Sequence, residues 1–402
     1  MCSILTGVLC GCDDNKNESV PEVSDNSETS GTVSDYKSSA EEVSDEIIVE
    51  NSNVNSTSYS EGLKYSVNDD GVTCTITGIG SCEDTDLNIP PIINGYKVIT
   101  IGKDAFKNCK DIVSVTIPNG VTTIGDYVFR NCTNLTSIII PDSVTSIGYY
   151  LFVNCNNLEF NTYDSAYYLG NNNNPYVALI KAKISSVECE IQTDTKVISR
   201  EAFYQCENLT SVSIPDSVTT IGTWAFAGCK NLTSVTIPNS VTAIEDYAFN
   251  GCNKLSNIVI GNSVTKIGDY AFFGCAFSSV NIPDGVTYIG SSAFYGCVNL
   301  TSIIIPDSVT TIRRESFYCC ENLTSINIPD SVIYIAPIAF YGCKNLTSIT
   351  IPNSIICIDR DAFEGCISLK NAYYGGSEND WIKIDILAGN NCLTNATIHY
   401  NS

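Results

Sequence analysis

Histidine is almost absent from this sequence: His399 is the single one in 402 residues. A serine or cysteine nucleophile activated by imidazole would therefore have to be assembled at the far carboxy-terminal end. No glycine loop of the phosphate-cradling kind and no zinc-type cysteine spacing occurs, so neither a metal nor a cofactor is implied. Basic residues are scarce as well, 21 Lys and Arg against 44 Asp and Glu, which sets the formal charge at −23. That balance argues against nucleic acid and anionic membrane surfaces as partners. Long apolar runs are missing too: the most apolar segment, residues 1–12, is too short to span a bilayer. Classical active-site chemistry has little to work with here.

What the chain has in abundance is itself. The stretch Ile221–Pro238, IGTWAFAGCKNLTSVTIP, is one unit of a pattern that returns almost to the end. Its cysteine falls at Cys109, Cys132 and Cys155, and after a gap at Cys206, Cys229, Cys252, Cys275, Cys297, Cys320, Cys343 and Cys366. Neighbours differ by 23 throughout, except 22 from Cys275 to Cys297 and 51 across the gap. A fixed period of this length means a solenoid, in which each unit closes its core only against its neighbours. Within one unit, Leu135, Ile138 and Ile140 have the spacing of a short strand with one buried face. Pro141 ends that strand, Asp142-Ser143 turns the chain, and Val144 and Ile147 begin a second extended piece. Gly148 turns it again, and Phe152 and Cys155 cover the core from a brief helical or irregular arc. The expected fold is mainly β, a solenoid of 23-residue repeats.

Eleven of the twenty cysteines form this ladder. Equivalent side chains on stacked strands stand about 4.8 Å apart, whereas a disulfide needs Cβ atoms about 3.8 Å apart. The ladder is therefore read as free thiols, small buried residues in a tight turn. Cys74 and Cys82 are left open, paired or free. The recurring Asp142, Asp216, Asp284, Asp307 and Asp330 read as turn residues, since Asn replaces them at Asn119, Asn239 and Asn353.

Around the repeats the chain changes character. Residues 1–12 end in Leu9-Cys10-Gly11-Cys12, which resembles a bacterial lipobox and implies a diacylglycerol on Cys12; an uncleaved apolar end or an ordinary secretion signal is the alternative. Residues 13–58 are acidic and polar without a hydrophobic period, as expected of a disordered tether. Residues 59–100 contain two alternating runs joined by Asn68-Asp69-Asp70-Gly71, a hairpin expected to cap the solenoid. Residues 101–372 hold the repeats, and 373–402 leave the period as a second cap. Inside the array, residues 156–197 break register: the 51-residue gap is two periods plus five. Tyr167-Tyr168-Leu169, an Asn/Gly/Pro-rich turn, and Tyr176 to Ile180 read as an inserted hairpin.

The motif I-G-x-x-A-F-x-x-C-x-x-L-T-S-I-x-I-P-x-S-V-T resembles the BspA-type leucine-rich repeat of bacterial surface proteins, over residues 60–402. The resemblance implies a cell-surface or secreted protein that mediates attachment to host matrix, mucosa or other bacteria. With the lipobox-like start, the expectation is a non-catalytic cell-surface binding or adhesion protein, lipid-anchored on the extracellular face, whose partners are host matrix or mucosal proteins or microbial surfaces. The resemblance carries no site residues. From the residues themselves, Ile139, Val259 and Ile304 are apolar where equivalent positions are Thr, Ser or Asn, so they are candidate contacts on the outward strand face. Tyr167, Tyr168 and Tyr176 on the insertion are candidate platforms for the alternative reading, capture of a surface glycan.

Overall fold

The computed structural model describes residues 58–401. The apolar run with Cys12, and the acidic stretch up to residue 57, lie outside the described residues. From Lys64 onward the chain coils into a succession of turns built mostly on parallel strands two to six residues long.

Two strand ladders run along the solenoid. The first is made by the L-x-x-I-x-I segments, such as Ser114–Thr116 and Ser137–Ile139, in which Ser114, Val115 and Thr116 pair with Ser137, Ile138 and Ile139. The second is made by the V-T-x-I segments, such as Thr220–Ile221 against Ala243–Ile244. Register equals the sequence period in both, so β-branched residues meet their own kind and the inward Ile and Val rows are buried. Between the ladders Pro238 and its equivalents end the strand, and the next valine closes a tight turn, as in Val241 N–H to the Pro238 carbonyl at 3.2 Å.

The remaining arc is irregular rather than helical. In Gly222–Cys229 successive turns alternate with bonds to the next repeat: Trp224, Phe226 and Gly228 donate to the carbonyls of Asp246, Ala248 and Asn250. This is possible because Trp224 and Gly228 adopt left-handed backbone, φ 60° and 75°. The arcs thus form a third ladder. Inside it, phenylalanine rings stack from repeat to repeat, 5.1 Å between Phe226 and Phe249 and 5.3 Å between Phe317 and Phe340. Each buried ring removes on the order of 1.5–3 kcal/mol of apolar exposure.

The ladder thiols are free and have a bonding role. Cys252 Sγ donates to the Phe226 carbonyl at 3.2 Å, and the same step recurs from Cys229 to Phe203 and from Cys343 to Phe317. Cys74 and Cys82 are free as well. Threonine hydroxyls along the strand face are tied down too: Thr136, Thr210 and Thr347 donate to the carbonyls of Val113, Val187 and Thr324. The serines of the Pro-Asp-Ser-Val turns do likewise, as Ser331 does to the Val309 carbonyl. The hydroxyl face is therefore partly consumed in joining one repeat to the next.

At the amino end, Lys64–Val67 and Thr73–Gly78 form an antiparallel hairpin, and Thr73–Gly78 passes the pairing in parallel to Tyr96–Ile101. At the carboxy end both ladders continue, through Asp385–Ile386 and Thr397–Tyr400, each preceded by a short helix, Glu378–Trp381 and Asn391–Thr394 respectively. Asn390 replaces an arc there: its Oδ1 accepts the Phe363 N–H and its Nδ2 donates to the Asp359 carbonyl.

Candidate ligand-binding cleft and strand face

The insertion decides where the solenoid is interrupted. Three strands fold back on one another, Asn161–Tyr163, Ala166–Leu169 and Ala178–Ala182, one more than the two read from the sequence. The last of them replaces a solenoid strand and pairs in parallel with Val197–Ile198. The turn is built by side chains: Asn171 Oδ1 accepts the N–H groups of Asn173 and Asn174, and Asn174 Nδ2 reaches Asp142 and the Asp194 carbonyl. Gly170 is needed at its foot, because a Cβ there would lie 2.1 Å from the Asn174 carbonyl oxygen.

All ladders change hands at this point. The second ladder ends at Ser146–Ile147 and restarts with Ala178–Ala182. The hydrophobic core divides into two clusters at the same place. The phenylalanine stack ends at Phe152, where Phe160 and then Tyr167 pack edge-on, and a new stack starts at Phe203. Among the described residues no backbone bond joins the arc 150–154 to the arc 201–205, although every other neighbouring pair of repeat arcs is so joined.

The unfilled space is a cleft with two cavities of about 550 and 400 Å³. They share Ile147, Gly148, Tyr149, Ser199 and Arg200. The Arg200 guanidinium lies 4.4 Å from the Tyr149 ring centroid, and its Nε lies 3.4 Å from Glu201. The larger cavity is lined by aromatic rings, Tyr149, Tyr150, Phe152, Phe160, Tyr167 and Tyr204, with Lys181 and Gln205 among its polar groups. The smaller is more acidic, with Asp126 and Glu245.

The sequence candidates fare unevenly. Tyr167 lines the larger cavity and has Lys183 Nζ 5.8 Å from its ring. Tyr168 does not reach the surface: it is 0% exposed, because alternation along Ala166–Leu169 turns it into the core beneath Ala182 and Cys189. It is not a platform for anything. Tyr176 is half-buried edge-on between Tyr163 and Tyr168. On the strand face Val259 and Ile304 stand 52% and 75% exposed. Ile139 is only half-buried rather than open, since Gly170 of the insertion bridges to it in parallel. Reading the repeats missed the cleft residues Tyr149, Ser199, Arg200 and Gln205. The one signal was the five-residue excess over two periods.

The family model for the BspA type leucine rich repeat region matches residues 80–173, 181–290 and 265–394, in six copies. The chain belongs to the BspA-type leucine-rich repeat family. BspA-type repeat proteins are bacterial surface proteins, and their solenoid is typically non-catalytic. Among solved structures, a leucine-rich repeat protein from Bacteroides ovatus is 27% identical, covering 85% of this chain and 99% of its own, at a TM-score of 0.40. A leucine rich cell surface protein from Faecalibacterium prausnitzii is 28% identical, with coverages of 83% and 99% and a TM-score of 0.36. The leucine-rich repeat protein of T. pallidum is 25% identical over 60% of this chain and 88% of its own, with a TM-score of 0.29. No curated protein matches the chain significantly. Among the described residues of this BspA-type chain, no helix is long and apolar enough to cross a membrane.

Proposed function

We propose that this chain is a non-catalytic adhesion protein of a bacterial surface, held by a lipid on Cys12 and presenting its first strand ladder to host matrix or mucosal protein. The observation that carries this reading is the outward row of that ladder. Val259 and Ile304 are exposed there while several threonine hydroxyls around them are occupied in inter-repeat bonds. Exposed apolar groups two repeats apart, about 10 Å at the strand spacing of a sheet, suit an extended polypeptide laid along the axis. Single exposed apolar residues are ordinary on protein surfaces, so the pairing is what has to be tested.

The test is saturable binding of the purified chain to immobilised matrix proteins and mucin, compared with a Val259→Asp/Ile304→Asp double variant. Both side chains are exposed, so the variant should keep its circular dichroism spectrum and lose binding. Undiminished binding by the double variant, or none by the parent chain, would overturn the reading. Capture of a surface glycan is the second reading, favoured by the aromatic cleft beside the insertion.

A further inference from the structure

We propose that the larger cavity of the cleft is a binding site for the carboxylate-bearing pyranose ring of an acidic saccharide. The inference deepens the glycan reading and is independent of the strand face. Its volume, about 550 Å³, falls in the range of small-ligand sites. Its walls are aromatic, which suits the apolar C–H faces of a sugar ring, and its polar groups converge from several elements.

Ser199 sits in the wall that the two cavities share. It is 5% exposed, lines both cavities, and its Oγ has no hydrogen-bond partner among the described residues. The Oγ is shut off from the cavity as placed, so a hydroxylated ligand meets it only when the Ser199 side chain turns outward. A buried hydroxyl without a partner costs on the order of a hydrogen bond to leave unmade, which favours that turn. An aliphatic chain would fill the aromatic walls and leave that hydroxyl unpaired.

Charge selects an acid. In a chain of net charge −23, the larger cavity carries Lys181 and Arg200 against one carboxylate, Glu201, which Arg200 already neutralises. Lys181 has no carboxylate within ion-pair distance among the described residues, and Lys183 stands over Tyr167 at the rim. The smaller cavity has the opposite character: Asp126 accepts the Tyr149 N–H, and Glu245 is paired with Lys266. An anionic group therefore belongs on the Lys181 side.

The experiment is isothermal titration calorimetry of the full chain with a hexuronic-acid oligosaccharide, a sialylated oligosaccharide, their neutral counterparts and a long-chain fatty acid. One of the two acidic saccharides should bind saturably, and which one does so identifies the source of the ring. The neutral counterpart should bind about tenfold more weakly or less. Lys181→Gln should cost about tenfold in affinity, as expected for one hydrogen bond to a charged group. Ser199→Ala should weaken both acidic and neutral forms, and Val259→Asp/Ile304→Asp should change nothing. Lys181 is exposed, so its variant folds and remains informative if Ser199→Ala does not. Equal affinity for neutral and acidic sugars, wild-type binding by the Lys181 variant, binding of the fatty acid alone, or no binding would each overturn the proposal.

Discussion

Raising the pH should unfold this protein through its thiol ladder. Burial pushes Cys132, Cys189, Cys252 and Cys297 up to about 12 and Cys206 to about 11, with neighbouring thiols adding to the shift at Cys132, and a nearby Asp164 at Cys189. Burial likewise raises Cys229, Cys275, Cys320 and Cys343. In the unfolded chain a thiol ionises near pH 8.5. The folded state therefore holds protons that the unfolded state has released. Stability is full below about pH 8.5 and falls as pH rises towards the folded values. At pH 10 each buried thiol costs about 2 kcal/mol, from 1.36 kcal/mol per unit over about 1.5 units. The five raised to about 11–12 amount to about 10 kcal/mol, comparable to the roughly 5–15 kcal/mol that holds an ordinary domain together. Circular dichroism melts under reductant from pH 7 to 10.5, with thiolate absorbance followed alongside, measure this. Thiolate from the buried cysteines should appear together with unfolding, and alanine at four mid-ladder cysteines should flatten the pH slope by about 5 kcal/mol per unit. Ionisation of the buried thiols near pH 8.5–9 in a still-folded protein, beyond the thiolate contributed by the remaining cysteines, or a flat melting profile to pH 10, would refute the reasoning.

Two further substitutions probe the ladder and the insertion separately. Cys252→Ala removes a buried sulfur and one of the two donors to the Phe226 carbonyl, the other being the Cys229 N–H; it should cost about 1–3 kcal/mol in urea denaturation, and an unchanged midpoint would sink the bonding role. Gly170→Ala drives a methyl into the Asn174 carbonyl and should cost about 1–3 kcal/mol or more. It should raise hydrogen exchange across residues 161–182 while leaving the repeats from Phe226 onward protected; uniform protection would show that the turn tolerates the methyl.

The period of 23 carried most of the architecture, because equivalent residues in a stacked coil meet at the sequence separation of the repeat. That is why the strand rows, the Ile-Pro turns and the unpaired cysteines were legible. The arc is not legible as helix or irregular from sequence, since the left-handed backbone at Trp224 and at Tyr247 occupies positions whose residue types carry no such signal. Tyr168 was misread because strand alternation decides which of two adjacent tyrosines points inward, and the phase depends on how the insertion docks.

Local pattern and repeat thus determined what each turn is made of and which side of each strand is buried. Tertiary structure alone decided what happens where the pattern fails. Five extra residues displace the insertion's last strand into the second ladder, so arcs that would otherwise bond are held apart, and the uncovered walls become a cleft. Tyr149, Ser199 and Arg200 come together there from segments about fifty residues apart, and Thr220 reaches across to the Thr145 carbonyl beside them, distances that no repeat-by-repeat reading spans.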